Sequence, residues 1–384
     1  MHLGVDFDAL VARFSPNKAT PIALGVSGGS DSTALLMLAS DWAKKSDRRL
    51  IILTVDHQLR PAAASEARCV ANMSAAFGHA HKTLQWDTPR NSQAAARRAR
   101  HRLLADAARQ AGASVLLLGH TLDDVTETIL LRRRRGVRGT DAAGPVMASP
   151  SPVWPEGRNL TIARPLLQTS REQLREYLEA RQVGWIDDPS NDDTGYERIA
   201  IRKHLLKHPK WRGPLRQITR DLMSKRAKDD HALGLALTAS EKVSVEPNGL
   251  LHLNQHQPSA ALLSVLLRAA GGHDHATRRN AIDAAMLDFS TPGDRRTLAG
   301  AWLQKTKTGM LIGRDPGEAN LRISDGLWDG RYGPASASKF SANDTPYLVK
   351  ASAPPSEDWR EVISDRIAHT AQCYQTPLLN PVQT

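Results

Sequence analysis

Three apolar runs in the first half of the chain, Pro21–Val26, Leu50–Asp56 and Ser114–Gly119, are each followed by a segment of helical periodicity. This alternation constrains the fold more than any other feature of the sequence. Runs this short read as buried strands, with shorter strands expected at Lys82–Trp86 and Leu160–Ala163. Helices are expected at Thr33–Lys45, Ala62–Phe77, Ser92–Ala111, Asp123–Arg134 and Arg171–Arg181. Strand–helix alternation at this spacing predicts an α/β domain with a parallel sheet between helices. Ligands bind such sheets beyond the carboxyl ends of the strands.

The texture changes around residues 185–215, which are turn-rich and then basic. Helical patterns follow at Leu215–Glu241, Ala260–Ala270 and Ala276–Phe289, then short strands at Arg296–Trp302 and Gly309–Arg314. We therefore expect a catalytic domain over 1–210, a mostly helical domain over 211–295, and a small mixed C-terminal part over 296–384 with a poorly ordered tail. The net charge of +11 favours a polyanionic partner. It is clustered: between Ala94 and Thr140 ten arginines face four acids. Two distant cysteines, Cys69 and Cys373, do not make a disulfide framework or a Cys-built metal site. No membrane span or signal peptide is visible, so a soluble cytoplasmic protein is expected.

The segment Gly25–Ser32, GVSGGSDS, lies between the first strand and its helix. It is neither a Walker A loop nor GxGxxG, yet it has the physics of a phosphate cradle. Gly28 and Gly29 allow positive φ and close backbone approach, and Ser27, Ser30 and Ser32 offer hydroxyls. The following helix points free N–H groups at the loop. Asp31 is out of place for anion binding alone; a carboxylate beside phosphates suits a divalent cation. The competing reading is a Gly-rich turn with Ser and Asp as helix caps.

SGGSDS resembles the SGGxDS signature of the PP-loop ATP pyrophosphatases. Further blocks narrow the resemblance to the tRNA(Ile)-lysidine synthetases: VDHQLR at Val55–Arg60, NSQAAARRARHRL at Asn91–Leu103, LGHTLDDVTETILLR at Leu118–Arg132, RPLL at Arg164–Leu167, and DDPSNDDTGYERIAIR at Asp187–Arg202. They stand in family order over roughly residues 21–205. Departures from the pattern are Gln58 for Gly, Gln93 for Glu, His101 for an aromatic, Ile199 for Asn, and the loop RGVRGT at Arg135–Thr140. The fold so implied is a PP-loop domain of the adenine nucleotide alpha hydrolase-like type, followed by the helical and mixed parts.

The resemblance implies a ligase that joins lysine to C2 of the wobble cytidine of tRNA(Ile) with a CAU anticodon. ATP adenylates the tRNA, pyrophosphate and AMP are released, and the tRNA changes from methionine to isoleucine identity. The implied partners are ATP, Mg²⁺, the tRNA and free L-lysine, with no membrane; a homodimer is a candidate assembly. ATP is assigned to Ser27, Gly28, Gly29, Ser30, Asp31, Ser32, Asp56 and His57, with Asp31 as metal ligand. Asp56 and His57, at the second strand's end, could equally order the loop.

Asp123, Asp124 and Glu127 put three carboxylates in five residues, more than one helix cap needs. A cation would explain them, and the resemblance makes that cation lysine, held with His120. Only a neutral amine attacks, so a base is needed; His120 and Asp124 are both candidates. The catalytic set is Asp31, Arg100, His120 and Asp124. Arg97 and Arg100 share a helix face, as a solvated stripe would, but they map onto family arginines. Arg100 would then stabilise phosphoryl charge or the adenylated base. Arg97, Arg132, Arg133, Arg198 and Arg202 are the expected tRNA contacts, although Arg132–Arg135 also suits a helix C-terminus.

Two other readings compete. A tRNA thiolase would need paired cysteines, which are missing, and a tRNA-binding protein without turnover would not need the intact blocks. His273 and His275 are not read as a zinc site, Cys69 is expected in the core, and the tryptophans look too scattered for a stacking platform.

Overall fold

The computed structural model describes residues 3, 5–58, 62–89, 92–187, 197–246, 248–273, 276–318, 323–324, 327–328, 331–334 and 359–376. They fall into two compact units, one of Met1–Ser151 with Leu160–Asp230, the other of Pro152–Asn159 with His231–Gln375. Leu59, Arg60, Asn91, most of the DPSN block, His275 and the expected disordered tail lie outside the described residues.

The first unit begins with a short helix, α1 (Phe7–Ala12), and then follows the expected alternation. Strands β1 (Ile22–Gly25), β2 (Leu50–Asp56), β3 (Ala80–Gln85), β4 (Val115–Leu118), β5 (Ala148–Pro150) and β6 (Thr161–Ala163) form one sheet in the order β3-β2-β1-β4-β6-β5. All neighbours are parallel except β5, which runs antiparallel to β6. Sequence reading missed β5: it is three residues long and ends in Pro150, which only an edge strand tolerates. β1 and β4 are almost entirely buried, as an apolar run in a covered parallel sheet should be.

The helices are α2 (Ser30–Ser46), α3 (Ala63–Ala76), α4 (Gln93–Gln110), α5 (Leu122–Arg134), α6 (Arg171–Glu179), α7 (Glu197–Lys207) and α8 (Arg212–Thr238). Two begin with capping boxes, Thr121 with Asp124 and Ser170 with Gln173. α3 buries Ala67, Val70 and Ser74. Cys69 falls on the other face and is exposed, which corrects the expectation that it belongs to the core. Among the described residues no helix is long and apolar enough to cross a membrane.

In the second unit, β7 (Val243–Val245), β8 (Leu251–Leu253), β9 (Arg295–Leu298), β10 (Ala301–Lys305) and β11 (Met310–Arg314) form an antiparallel sheet ordered β7-β8-β11-β10-β9. Helices α9 (Ala260–Ala270), α10 (Arg279–Met286) and α11 (Ile363–Tyr374) pack in its core with Leu251, Leu253, Leu303 and Ile312. A small second sheet joins β12 (Ile323–Ser324), β13 (Leu327–Trp328), β14 (Tyr332–Pro334) and β15 (Trp359–Glu361). The strand expected over Arg296–Trp302 is two strands. The chain reverses at Ala299 and Gly300, with φ of 52° and 69°, a left-handed pair that suits a two-residue hairpin.

Candidate functional site

β1 has β2 on one side and β4 on the other, so the loops after β1 and β4 leave the sheet at the point where the strand order reverses. The two loops meet closely. A Cβ on Gly119, just past β4, would lie 3.1 Å from the carbonyl oxygen of Asp31. A side chain there would push the start of α2 and the end of β4 apart by a few tenths of an ångström, so glycine favours this close packing.

The loop after β1 is held by its own hydroxyls. Ser32 Oγ donates to the Gly29 carbonyl at 3.0 Å and accepts from the Ser27 backbone N–H at 3.2 Å. Thr33 Oγ1 donates to the Gly28 carbonyl at 3.0 Å, and the Ile186 N–H reaches the same oxygen at 2.9 Å. Gly28 has φ of +87°, and a Cβ there would strike Ile186 Cδ1 at 2.5 Å. Gly29 departs from expectation: it is extended, with φ of −67°, and caps α2 with no side chain. Its value is the bare N-terminus it leaves on a 17-residue helix, an anion-binding feature.

Asp31, in the first turn of α2, pairs with an arginine that sequence reading passed over. Arg171 Nε donates to Asp31 Oδ2 at 2.9 Å, Nη2 to Asp124 Oδ1 at 3.2 Å and Nη1 to Glu127 Oε1 at 3.4 Å. The Arg171 backbone N–H also binds Asp123 Oδ2 at 2.7 Å. Arg216 Nη2 takes the other oxygen of Asp123 at 3.2 Å. Glu127, only 1% exposed, further accepts from Arg198 Nε at 3.0 Å and Arg202 Nε at 2.8 Å. The expected acid trio therefore does converge, but each of its members is shared among arginines.

One guanidinium serving three carboxylates sets the local proton affinities. Burial raises the Asp31 carboxyl above its ordinary range despite Arg171, and Asp124 adds to the effect. Burial also opposes the Asp124 charge, but Arg171 and Arg198 outweigh it and hold that carboxyl low. Asp124 Oδ2 is occupied as well, accepting the Thr121 backbone N–H at 2.8 Å in the capping box. Asp124 is thus both a cap and a member of the ionic cluster.

Opposite in character is a group of buried nitrogens without hydrogen-bond partners among the described residues: Arg100 Nε, His57 Nδ1, His120 Nδ1 and both ring nitrogens of His101. Burial, with Arg97 and Arg198 nearby, lowers Arg100 to about 10. Burial, Arg164 and Arg100 lower His120 to about 3 against the pull of Asp124. His120 is therefore a neutral imidazole at physiological pH. Asp56, meanwhile, is buried and accepts the Gln58 N–H at 2.8 Å, so it orders the turn after β2. Unpaired buried donors are costly in isolation, and a bound anion would satisfy Arg100.

His101 has a folded-state value lowered to about 3 by burial and by Arg100. A histidine depressed in the folded state favours folding fully above the unfolded value near 6.5. That contribution is lost as pH falls from about 6.5 towards 3. His101→Phe, which removes two unpaired buried nitrogens, is expected to flatten the loss of stability on acidification and raise Tm at pH 5. Thermal melts at pH 5 and pH 8 check this; an unchanged pH dependence would overturn it.

Other arginines are placed differently. Arg198 and Arg202 turn inward onto Glu127. Arg132 Nη1 donates to the Asp141 carbonyl at 2.9 Å, closing the RGVRGT loop, and Arg135 pairs with Glu197. Arg97 and Arg133 are exposed. Among the described residues no group of three or more His, Cys, Asp or Glu could hold a metal ion. A magnesium ion needs only one or two carboxylates when phosphates supply the remaining ligands, and Asp31, beside the bare helix terminus, fits that limited part.

Sequence reading missed Arg171, Arg216 and Ile186. For Arg171 one signal existed: it opens α6, where a cation opposes the helix dipole unless tertiary acids compensate.

A parallel sheet whose switch point carries a Gly-Ser phosphate loop defines a nucleotide-binding α/β protein, and the PP-loop domain family, an ATP-binding one, matches residues 5–209. The tRNA(Ile)-lysidine synthase of Hyphomonas neptunium is 37% identical over 297 residues, covering 76% of this chain and 81% of that protein. Its namesakes from Caulobacter vibrioides and Mesorhizobium japonicum are 36% and 34% identical, covering 84% and 80% of this chain and 76% and 70% of theirs. The chain belongs to the tRNA(Ile)-lysidine synthase family, whose members are ligases that use ATP.

Proposed function

We propose that the protein attaches lysine to the wobble cytidine of a CAU-anticodon tRNA(Ile). One observation carries the reading beyond family membership: an acidic cluster at Asp31, Asp124 and Glu127 lies near enough to Arg100 for Asp124 to act on its charge, and the buried Arg100 Nε has no partner among the described residues. A substrate with an anionic phosphate and a cationic amine needs both halves.

In the first step the cytidine C2 oxygen attacks the α-phosphorus of ATP, and the bond to pyrophosphate breaks. The bare α2 terminus and Ser27–Ser32 receive the phosphates, and Arg100 offsets charge on the phosphoryl oxygens. Mg²⁺, with Asp31 as its protein ligand, would neutralise phosphate charge. In the second step the lysine ε-amine bonds to C2, and AMP leaves with the former C2 oxygen. Asp124 and Glu127 attract the ammonium by exchanging part of their hold on Arg171. Neutral His120 lines the site with an unpaired Nδ1 that can orient the amine, and Asp124 holds it; the proton lost by the amine passes to one of these two groups or to water.

Incubation with ATP, lysine and a CAU-anticodon transcript, followed by nuclease digestion and mass spectrometry, tests the reading. Lysidine with stoichiometric pyrophosphate is the expected result, and neither product would sink it. Binding of that transcript is also expected to weaken steeply with salt. About five neutralised phosphates give a log–log slope of about −4. A slope near zero would remove the basic segments from the RNA interface.

A further inference from the structure

We infer that His204, His208 and Trp211 form a stacking platform for an unpaired base of the RNA, at the end of α7 that follows, in sequence, the residues joining the ionic cluster. The identity of that RNA as tRNA rests on the function proposed above. The platform itself rests on the rings and charges.

The C-terminal end of α7 runs through a short 3₁₀ turn, Pro209–Trp211, directly into α8. His208 and Trp211 stack with ring centroids 4.8 Å apart and planes 20° apart. His204, one helical turn earlier, tilts against both, at 4.6 Å from His208 and 5.4 Å from Trp211. Backbone bonds fix the arrangement: the Trp211 N–H donates to the His208 carbonyl at 3.0 Å, and Arg212 Nε to the Leu205 carbonyl at 3.2 Å.

These rings are not core. α7 buries no residue, and Trp211 remains 44% exposed although His208 covers part of its ring. Rings gathered at the surface without a core beneath them leave an aromatic face open to water, the condition a stacking site needs. Exposed Leu206 and Ile218 flank them in sequence.

The charge decides the occupant. From Arg198 to Arg220 the chain carries eight Lys or Arg residues and no acid; Arg198, Arg202 and Arg216 are taken up by Glu127 and Asp123, which leaves the surface charge to the others. Lys207 and Lys210, both exposed, directly precede His208 and Trp211. An acid-free basic segment attracts a polyanion, and an aromatic stack selects one with flat, splayed-out groups, which is single-stranded RNA in a loop. An apolar protein surface would have to leave Lys207 and Lys210 without counter-charges, whereas a phosphate backbone supplies them.

The test measures affinity of the full chain for a CAU-anticodon transcript over a range of salt. Stacking of one base contributes enough that Trp211→Ala is expected to weaken binding about 5- to 100-fold. Stacking displaces few counterions, so the salt slope should stay at its wild-type value. Trp211→Phe should restore most of the affinity, and KM for ATP and for lysine should not change. Joint replacement of Lys207 and Lys210 by Ala should instead make the slope shallower by about 1 to 2.

Wild-type affinity in Trp211→Ala would overturn the platform. So would a slope that falls together with affinity, since the ring would then only support the basic segment. A dimer that becomes a monomer in Trp211→Ala, with RNA affinity unchanged, would make a second copy the occupant. If the wild-type chain binds the transcript but forms no lysidine, the proposed function fails while the binding comparison still decides the platform.

Discussion

Glu127→Ala is expected to lower folding stability by about 3–5 kcal/mol, the range found when one member of a buried ionic group is removed. Glu127 is 1% exposed and accepts hydrogen bonds from Arg171, Arg198 and Arg202. Without it three guanidiniums lose a common counter-charge. Glu127→Gln keeps the shape and part of the hydrogen bonding, so its loss should be smaller but of the same sign. Urea unfolding of the two variants measures this. Wild-type stability in Glu127→Ala would mean that the carboxylate serves a substrate and does not anchor α7 to α5.

Asp31→Asn should lower lysidine formation by at least about a hundredfold, in the range seen when a preorganised charge at a reacting centre is removed. Folding should change little: burial already raises this carboxyl, and Arg171 keeps Asp124 and Glu127 as partners. The variant should bind tRNA as the wild type does and should lose the response of pyrophosphate release to added Mg²⁺. Near-wild-type turnover at saturating ATP would separate Asp31 from the chemistry.

Much of the first unit was legible because a covered parallel sheet demands short continuous apolar strands and amphipathic helices. Ile22–Gly25, Leu50–Asp56 and Val115–Leu118 were expected from their residues within a position or two. Short antiparallel pieces were not. β5 has no pattern to read, and the β9–β10 turn uses Ala299, whose left-handed φ nothing in its type announces. The β7–β8 hairpin did carry a signal, Asn248–Gly249 between alternating residues, which went unread beside the stronger helical patterns.

The site shows the same division. The sequence alone determined the phosphate loop, since its glycine, its hydroxyls and the helix that follows are neighbours along the chain. It also determined the acid trio, which one helix turn gathers on α5. Only the tertiary structure decided what those acids face. Arg171 lies 140 residues from Asp31 along the chain, and no local spacing links them. The fold likewise turned Arg198 and Arg202 inward, whereas His204, His208 and Trp211 are gathered by local helix geometry over eight residues. Local chemistry follows from covalent neighbours; counter-charges depend on which surfaces packing brings together, because Coulomb forces act through space over a few ångströms, whatever the chain length between the groups.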